Sequence, residues 1–434
     1  MPKRQTHYMI IDCNSFYASV EKIFRPELRN SPVVVLSNND GIIVALSQEA
    51  KDVGLKRGDA IFKVSSVVNK HKVAVFSSNY VLYYEISKRI EAVVNRYYVK
   101  TEKYSIDELF VEYTTDQSPE KIKEQARRLR HNILKEVKVT VSVGIASTKT
   151  LAKVMNRYAK KDKRYKGVAM LKSKAQLQRA LQNFDVSDVW GVGRKHSKSL
   201  NNLGIKNAWD FSQMNANWVK KNYTITGLRT VNELRGIPNI SMEYARADKK
   251  NIMCSRSFGQ PISTLPEMKA AIADYVQETA EKLRNQGSVC KSLSVFLLTD
   301  PFKKRNKQYR NSIHLEMPYA ANDNLSLQNI AFLGLERIFR AGYIYKKAGV
   351  AVFDLISEEN IQYTLWDNTE KIFDFYQLFK KVDIINTSIG TLKFAVQNKK
   401  GRHRMRQNKK SPEYTTKISD VPKIDMDKKI DITD

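Results

Sequence analysis

Between residues 251 and 356 the hydrophobic pattern changes period in a fixed order, and that order admits few folds. NIMCSRSFG alternates as a strand, LPEMKAAIADYVQETAEKLRNQ repeats as a helix, and SLSVFLLTD and RNSIHLEMP read as two strands. LSLQNIAFLGLERIFRA is a second helix and YKKAGVAVFDLI a last strand. A β-α-β-β-α-β order of this kind is a split βαβ domain, small and complete in itself. A polar linker near 241 to 250 separates it from the preceding chain.

Upstream, strand and helix patterns also alternate. HYMIIDC reads as a strand, NSFYASVEKIF as a helix beginning at Asn14, and PVVVLS as a strand ending at the turn NNDG. IIVAL, VAVFS, SIDELFVEY and VTVSVGIA follow as strands, with helices around SQEAKDVG and over residues 79–97, 118–137 and 148–160. Residues 1 to about 170 therefore form one mixed α+β domain, with a smaller subdomain at about 33 to 74. Residues 171–240 form a compact helical region containing VWGVGRKHSKSLNNLGI. There Gly191 and Gly193 free a tight turn ahead of a basic helix opening on Arg194 and Lys195, and Leu200, Leu203 and Ile205 supply an apolar edge. That is a helix-hairpin-helix signal, whose turn and helix N-terminus bind phosphate, although a glycine turn between two packed helices looks the same. Beyond the split domain come IQYTLWDN, a helix near 370 to 386, and a basic tail expected to be mostly irregular.

The charge narrows the partners. Lys and Arg number 74 against 45 Asp and Glu, a formal net charge of +29. The excess gathers in KKDKRYK (160–166), FKKRNKQYRNS (302–312) and KKGRHRMRQNKK (399–410), which together favour an extended phosphate-binding surface. No basic amphipathic helix dominates and no segment approaches the roughly 18 apolar residues of a membrane span, so the chain reads as cytoplasmic with no membrane partner. Cys13, Cys254 and Cys290 are scattered without CxxC spacing, which suggests buried, reduced thiols.

In KYSIDELFVEY, Asp107 and Glu108 stand side by side inside an apolar, β-prone run. Adjacent strand residues point to opposite faces, so two carboxylates serving one purpose require the backbone to bend there. Asp12 ends the first strand, where it is either an N-cap for the next helix or a third member of the group. Three close anions cannot all stay ionised without a counter-charge, and hard divalent cations with oxygen ligands supply it.

With IIDCNSFYASVE, VVVLSNNDGIIVALSQEAK, FSSNYVLYYEIS, YSIDELF, VSVGIASTKTLAK and the tail SPEYTTKISDVP, the chain resembles the Y-family translesion DNA polymerases over nearly its whole length. Within them it is most similar to the branch of the bacterial SOS mutagenesis polymerase. The resemblance implies an α+β right hand. Its palm would span 1–32 and 75–170, its small fingers 33–74, its helical thumb 171–240, its little finger 245–358, and a clamp-binding segment and basic tail 359–434. It implies error-prone addition of deoxynucleotides past lesions, as part of DNA repair in the SOS response, with two Mg²⁺ ions. Asp12 and Asp107 would bind both metals, Glu108 the metal nearer the primer end, and the Cys13 carbonyl the metal of the nucleotide. Tyr17 matches the steric gate against a ribose 2′-OH, and Phe16 the aromatic beside it. Lys153 and Lys160 match basic residues near the primer-side and nucleotide phosphates. Relatives often carry Tyr and Arg on the triphosphate where this chain has Gln48 and Lys51; Lys51 keeps a phosphate contact without the bidentate fork of Arg.

The partners implied are primer-template DNA, dNTPs and a sliding clamp engaged by Gln362, Leu365 and Trp366, together with a small processed accessory subunit and a recombinase filament. A nucleotide cyclase would share the carboxylate logic but needs neither the charge of +29 nor a phosphate-binding thumb, and a silent DNA-binding protein would not need the carboxylates.

Overall fold

A computed structural model describes residues 4–245, 247–362, 369–388, 390, 392–397 and 401–421. They fall into two compact units, Met1–Ser37, Ile42–Arg246 and Lys409–Asp434 in one, Asn38–Gly41 and Ala247–Asn408 in the other.

The first unit opens with β1 (Gln5–Cys13), α1 (Phe16–Ile23), β2 (Val33–Leu36), β3 (Ile43–Leu46), α2 (Gln48–Asp52), α3 (Ser65–Lys70) and β4 (Ala74–Ser77). It continues through α4 (Tyr80–Asn95), β5 (Thr101–Lys103), β6 (Glu108–Thr115), α5 (Pro119–Val137), β7 (Val141–Ala146), α6 (Lys149–Lys161) and β8 (Val168–Met170). The main sheet runs β5-β6-β1-β7-β8, with β1 in the middle and antiparallel to both neighbours. Strand parity divides its side chains between two layers. Met9, Ile11 and Cys13 enter the core shared with α1, α4 and α5, while Tyr8 and Ile10 enter the core shared with α6.

Two sequence expectations shift here. The first helix begins at Phe16 rather than Asn14, because Ser15 is left-handed (φ 48°) and the Asn14 side chain is engaged with Thr140 and Ser142. The strand expected from Ser105 starts only at Glu108, the chain bending through 105–107. In addition, β4 completes the small sheet β3-β2-β4 through parallel pairing with β2, although a boundary at 74 assigns most of it to the larger domain.

The helical region contains α7 (Lys174–Gln182), α8 (Arg194–Asn202), α9 (Ala208–Gln213) and α10 (Ala216–Leu234). Leu200 is buried and Ile205 packs against the same core, but Leu203 is exposed, so the apolar edge is narrower than expected.

The second unit contains β9 (Ile252–Ile262), α11 (Leu265–Gln286), β10 (Ser288–Thr299), β11 (Arg310–Ala321), α12 (Asn324–Ile338), β12 (Tyr345–Ser357) and α13 (Thr369–Ser388). The expected β-α-β-β-α-β order is present, as an antiparallel sheet β11-β10-β12-β9. The two helices share one core with it through Met268, Tyr275, Leu283, Leu327 and Leu335. The run 302–312 falls in the β10–β11 connection and the start of β11. Among the described residues of the tail, 401–421, the one helical element is a 3-10 turn, Ile418–Asp420, and from Lys409 on the segment is tied to the first unit at several points. Ser77 N donates to the Lys409 carbonyl at 2.9 Å, and Tyr414 stacks on Phe24 at 4.5 Å.

Candidate active site

The same parity that sorts the core decides where the carboxylates go. Asp12 has the parity of Tyr8 and Ile10, and Glu108 that of Phe110, so both belong to the face covered by α6. The β1–β6 register puts Asp12 directly opposite Glu108. Asp107 lies one residue outside the strand, in the bend, and its carbonyl accepts from Cys13 N at 2.9 Å. Ser105 Oγ donates to Asp107 Oδ1 at 2.6 Å and fixes the turn. Alternation therefore does not separate Asp107 from Glu108. Asp12 is no helix cap, since the position before α1 is Ser15.

From α6 a polar stripe descends onto this end of the sheet. Lys149, Lys153, Asn156 and Lys160 recur at spacings of four, three and four, which is one face of a helix. Lys149 Nζ meets the buried Glu102 carboxylate at 2.6 Å, Lys153 Nζ meets both oxygens of Glu108 at 3.0 Å, and Lys160 Nζ lies 2.6 Å from Asp12. Asn156 Nδ2 donates to Asp12 Oδ2 at 3.1 Å. Sequence reading missed Asn156 and Ser105, although the stripe spacing could have found Asn156. Gly144 on β7 lets α6 come this close: a Cβ there would stand 2.1 Å from the Ala152 carbonyl oxygen and 2.3 Å from Asn156 N.

The charges are balanced locally. Burial raises the Asp12 carboxyl to about 6, Lys160 opposes the rise, and Glu108 and Asp107 add to it. Lys153 is also held 4.3 Å from the Tyr104 ring and 5.1 Å from Trp190, which donates to the Tyr104 hydroxyl at 3.0 Å. Among the described residues no three His, Cys, Asp or Glu side chains gather closely enough to hold a metal ion, because Asp12 and Glu108 each turn to a lysine. Asp12 and Glu108, opposite each other across the strands, with Asp107 in the adjoining bend, nonetheless offer only hard oxygen donors, the kind a divalent cation takes.

Cys13 closes β1 opposite Val141, its thiol buried. Phe16 is buried, and Tyr17, half-buried, stacks on Tyr83 at 4.4 Å and meets Tyr80 edge-on at 5.9 Å. Lys51 reaches Ser15 Oγ at 3.4 Å, whereas Gln48 bonds to Asp52 within its own helix at 2.8 Å. Gln48, Ser15, Asn14 and Lys22 line a cavity of about 1000 Å³.

Gly191 has φ 89° and needs to be glycine; Gly193 has φ −80° with open space about it, so only one of the two frees the turn. A single 3-10 turn, Val186–Asp188, precedes them in place of a full first helix. Arg194 and Lys195 occupy the exposed first turn of α8. Gln362 is exposed, and Leu365 and Trp366 lie outside the described residues.

The impB/mucB/samB family matches residues 11–157, its C-terminal domain residues 249–365, and a domain of unknown function residues 376–424. Protein UmuC of Salmonella typhimurium is 39% identical, the alignment covering 96% of this chain and 100% of that protein. Protein MucB of Escherichia coli is 38% identical over 96% of this chain and 99% of its own length. Among solved structures, a Y-family DNA polymerase chimera of Dbh and Dpo4 superposes with a TM-score of 0.63 at 21% identity, covering 81% of this chain and 99% of that one. The fold is accordingly the polymerase right hand of palm, small fingers, helical thumb and little finger. The chain belongs to the impB/mucB/samB family and is a UmuC-like member of the Y-family DNA polymerases.

Proposed function

We propose that Asp12, Asp107 and Glu108, with the Cys13 carbonyl, hold two Mg²⁺ ions, and that this site extends a DNA primer past template lesions. Family membership makes the chain a DNA-directed DNA polymerase of error-prone translesion synthesis in the SOS response, binding DNA and dNTPs. The observation that carries the site is the pairing of Asp12 opposite Glu108, with Asp107 released from strand alternation beside them. Bound divalent cations supply the charge that activates the primer hydroxyl and stabilises the leaving oxygen. Lys160 and Lys153, the counter-charges of Asp12 and Glu108, then serve the nucleotide and primer-side phosphates. Lys51 adds a single-point phosphate contact beside Ser15. The Tyr17 ring, steadied by Tyr83 and Tyr80, excludes the ribose 2′-OH, with Phe16 packed behind it.

The palm is assigned to 1–32 and 78–170, the fingers to 33–77 with the boundary moved so that β4 joins them, the thumb to 171–240 and the little finger to 245–358. Gly191, Gly193, Arg194 and Lys195 grip duplex phosphates at the thumb turn, and the net charge of +29 supports that grip. Small fingers enclose the nascent pair loosely, which admits damaged templates and weakens discrimination by shape. Gln362, Leu365 and Trp366 dock on the sliding clamp; Leu365→Ala with Trp366→Ala should remove clamp-stimulated synthesis and spare clamp-free synthesis. A small processed subunit and a recombinase filament complete the reading, in the cytoplasm; among the described residues no helix is long and apolar enough to cross a membrane. Primer extension with Mg²⁺ on undamaged and abasic templates tests it. Extension on both is expected, and failure on both would refute it.

A further inference from the structure

The tail segment SPEYTT, in the stretch that matches a domain of unknown function, ends on the same side chains that support Tyr17. Asn79 is the link. Its Oδ1 accepts from Leu82 N and caps α4, while its Nδ2 donates to the Ser411 carbonyl and hydroxyl, both at 3.1 Å, and to the Pro412 carbonyl at 3.3 Å. Ser411 Oγ in turn donates to Glu21 Oε1 at 3.2 Å, and the Tyr83 hydroxyl donates to the same oxygen at 2.6 Å. Asn79, Glu21, Tyr83 and Ser411 are all buried. Helix α4 thus begins on the tail, and two of its aromatic rings, Tyr80 and Tyr83, hold Tyr17. Around this contact the backbone of Lys409 bonds to Ser77 in both directions at 2.9 Å, and Tyr414 stacks on Phe24.

We propose that Ser411 is a positioning residue for sugar discrimination: through Asn79 and Glu21 it sets the start of α4 and the Tyr83 hydroxyl, and so the stack that fixes the Tyr17 ring. This rests on the reading of Tyr17 as the steric gate. A side chain with two free torsions blocks a 2′-OH only as well as its neighbours hold it, and a stacked pair constrains the ring most. The tail supplies the far end of that constraint from more than 300 residues away in sequence.

The test measures kcat/KM for dNTP and rNTP incorporation by the full-length polymerase, with melting temperature recorded for every variant. Ser411→Ala should lower the dNTP-over-rNTP ratio by roughly threefold to tenfold, the worth of one aromatic stack, while dNTP turnover stays near that of the parent. Ser411→Thr, which keeps the hydroxyl, should restore the ratio. Tyr83→Phe, which keeps the ring and loses the bond to Glu21, should lower it similarly and serves if Ser411→Ala does not fold. In a Tyr17→Ala background neither change should matter further. A ratio unchanged by Ser411→Ala and Tyr83→Phe, with Tyr17→Ala still lowering it, overturns the positioning role alone, even if melting temperature falls. A ratio unchanged by Tyr17→Ala overturns the gate and this inference with it.

Discussion

Lys160 and Asp12 form an ion pair of 2.6 Å between the last turn of α6 and the end of β1. Asn156, one turn earlier on the same face of α6, donates to the same Asp12 oxygen, and both contacts depend on α6 lying close against β7 at Gly144. Carboxylates and cations are therefore placed by two independent elements whose spacing one glycine sets.

Gly144→Ala should separate those elements. The new methyl would meet backbone of α6, which cannot swing aside as a side chain could. We expect a loss of about 1–3 kcal/mol, the usual cost of overpacking. A larger proportional loss of polymerase activity than of folded protein is expected as well. Urea titration and primer extension on the same preparation check both.

The Lys149–Glu102 pair is the buried relative of the two site pairs, with both side chains almost fully enclosed. Lys149 also donates to the Ser241 carbonyl at 3.2 Å, and Glu102 accepts from Glu243 N at 2.9 Å, so the pair ties residues after the helical region to the sheet. Lys149→Met strands a buried carboxylate and should cost about 3–5 kcal/mol. Lys149→Met with Glu102→Leu should recover most of it, which a double-mutant cycle of melting curves would show.

Burial raises the Glu21 carboxyl to about 7, against the opposing hydrogen bonds of Tyr83 and Ser411 and the charge of Arg25; Tyr414 is the other titratable group beside it. Glu21 Oε2 has no hydrogen-bond partner among the described residues, which suits a neutral acid. The folded chain then holds a proton that the unfolded chain releases above its ordinary value near 4.5. Stability contributed by the neutral acid is full below that value and is lost as pH rises towards 7. Glu21→Gln should lie close to the parent at pH ~5 and gain on the order of 3 kcal/mol over it at pH ~8. Parallel stability curves for the two proteins between those pH values would contradict the assignment.

The grouping of the three carboxylates is legible in the sequence, while the roles given to them come from the family resemblance. Asp12, Asp107 and Glu108 stood out because carboxylates in apolar, β-prone runs are costly, and the bend they demanded lies at 105–107. The split βαβ unit followed from period alone, as α11 begins and ends at the expected residues. Other features depend on contacts that no local pattern carries. Nothing near Ser411 points to Glu21 or Asn79, and nothing around Lys149 names Glu102. Gly193 and Leu203 were misjudged because a glycine-rich turn and an apolar spacing constrain the backbone without saying which member bears the constraint.

The central claim is that Asp12, Asp107 and Glu108 form the catalytic end of the sheet while DNA is held elsewhere. Asp107→Ala and Glu108→Ala, each assayed for primer extension with Mg²⁺ and for primer-template binding on one preparation, test it most directly. The account predicts loss of nucleotide addition in both variants with DNA affinity within a few-fold of the parent, since the proposed duplex grip lies at the thumb turn and not on these carboxylates. Near-normal extension by either variant would contradict it.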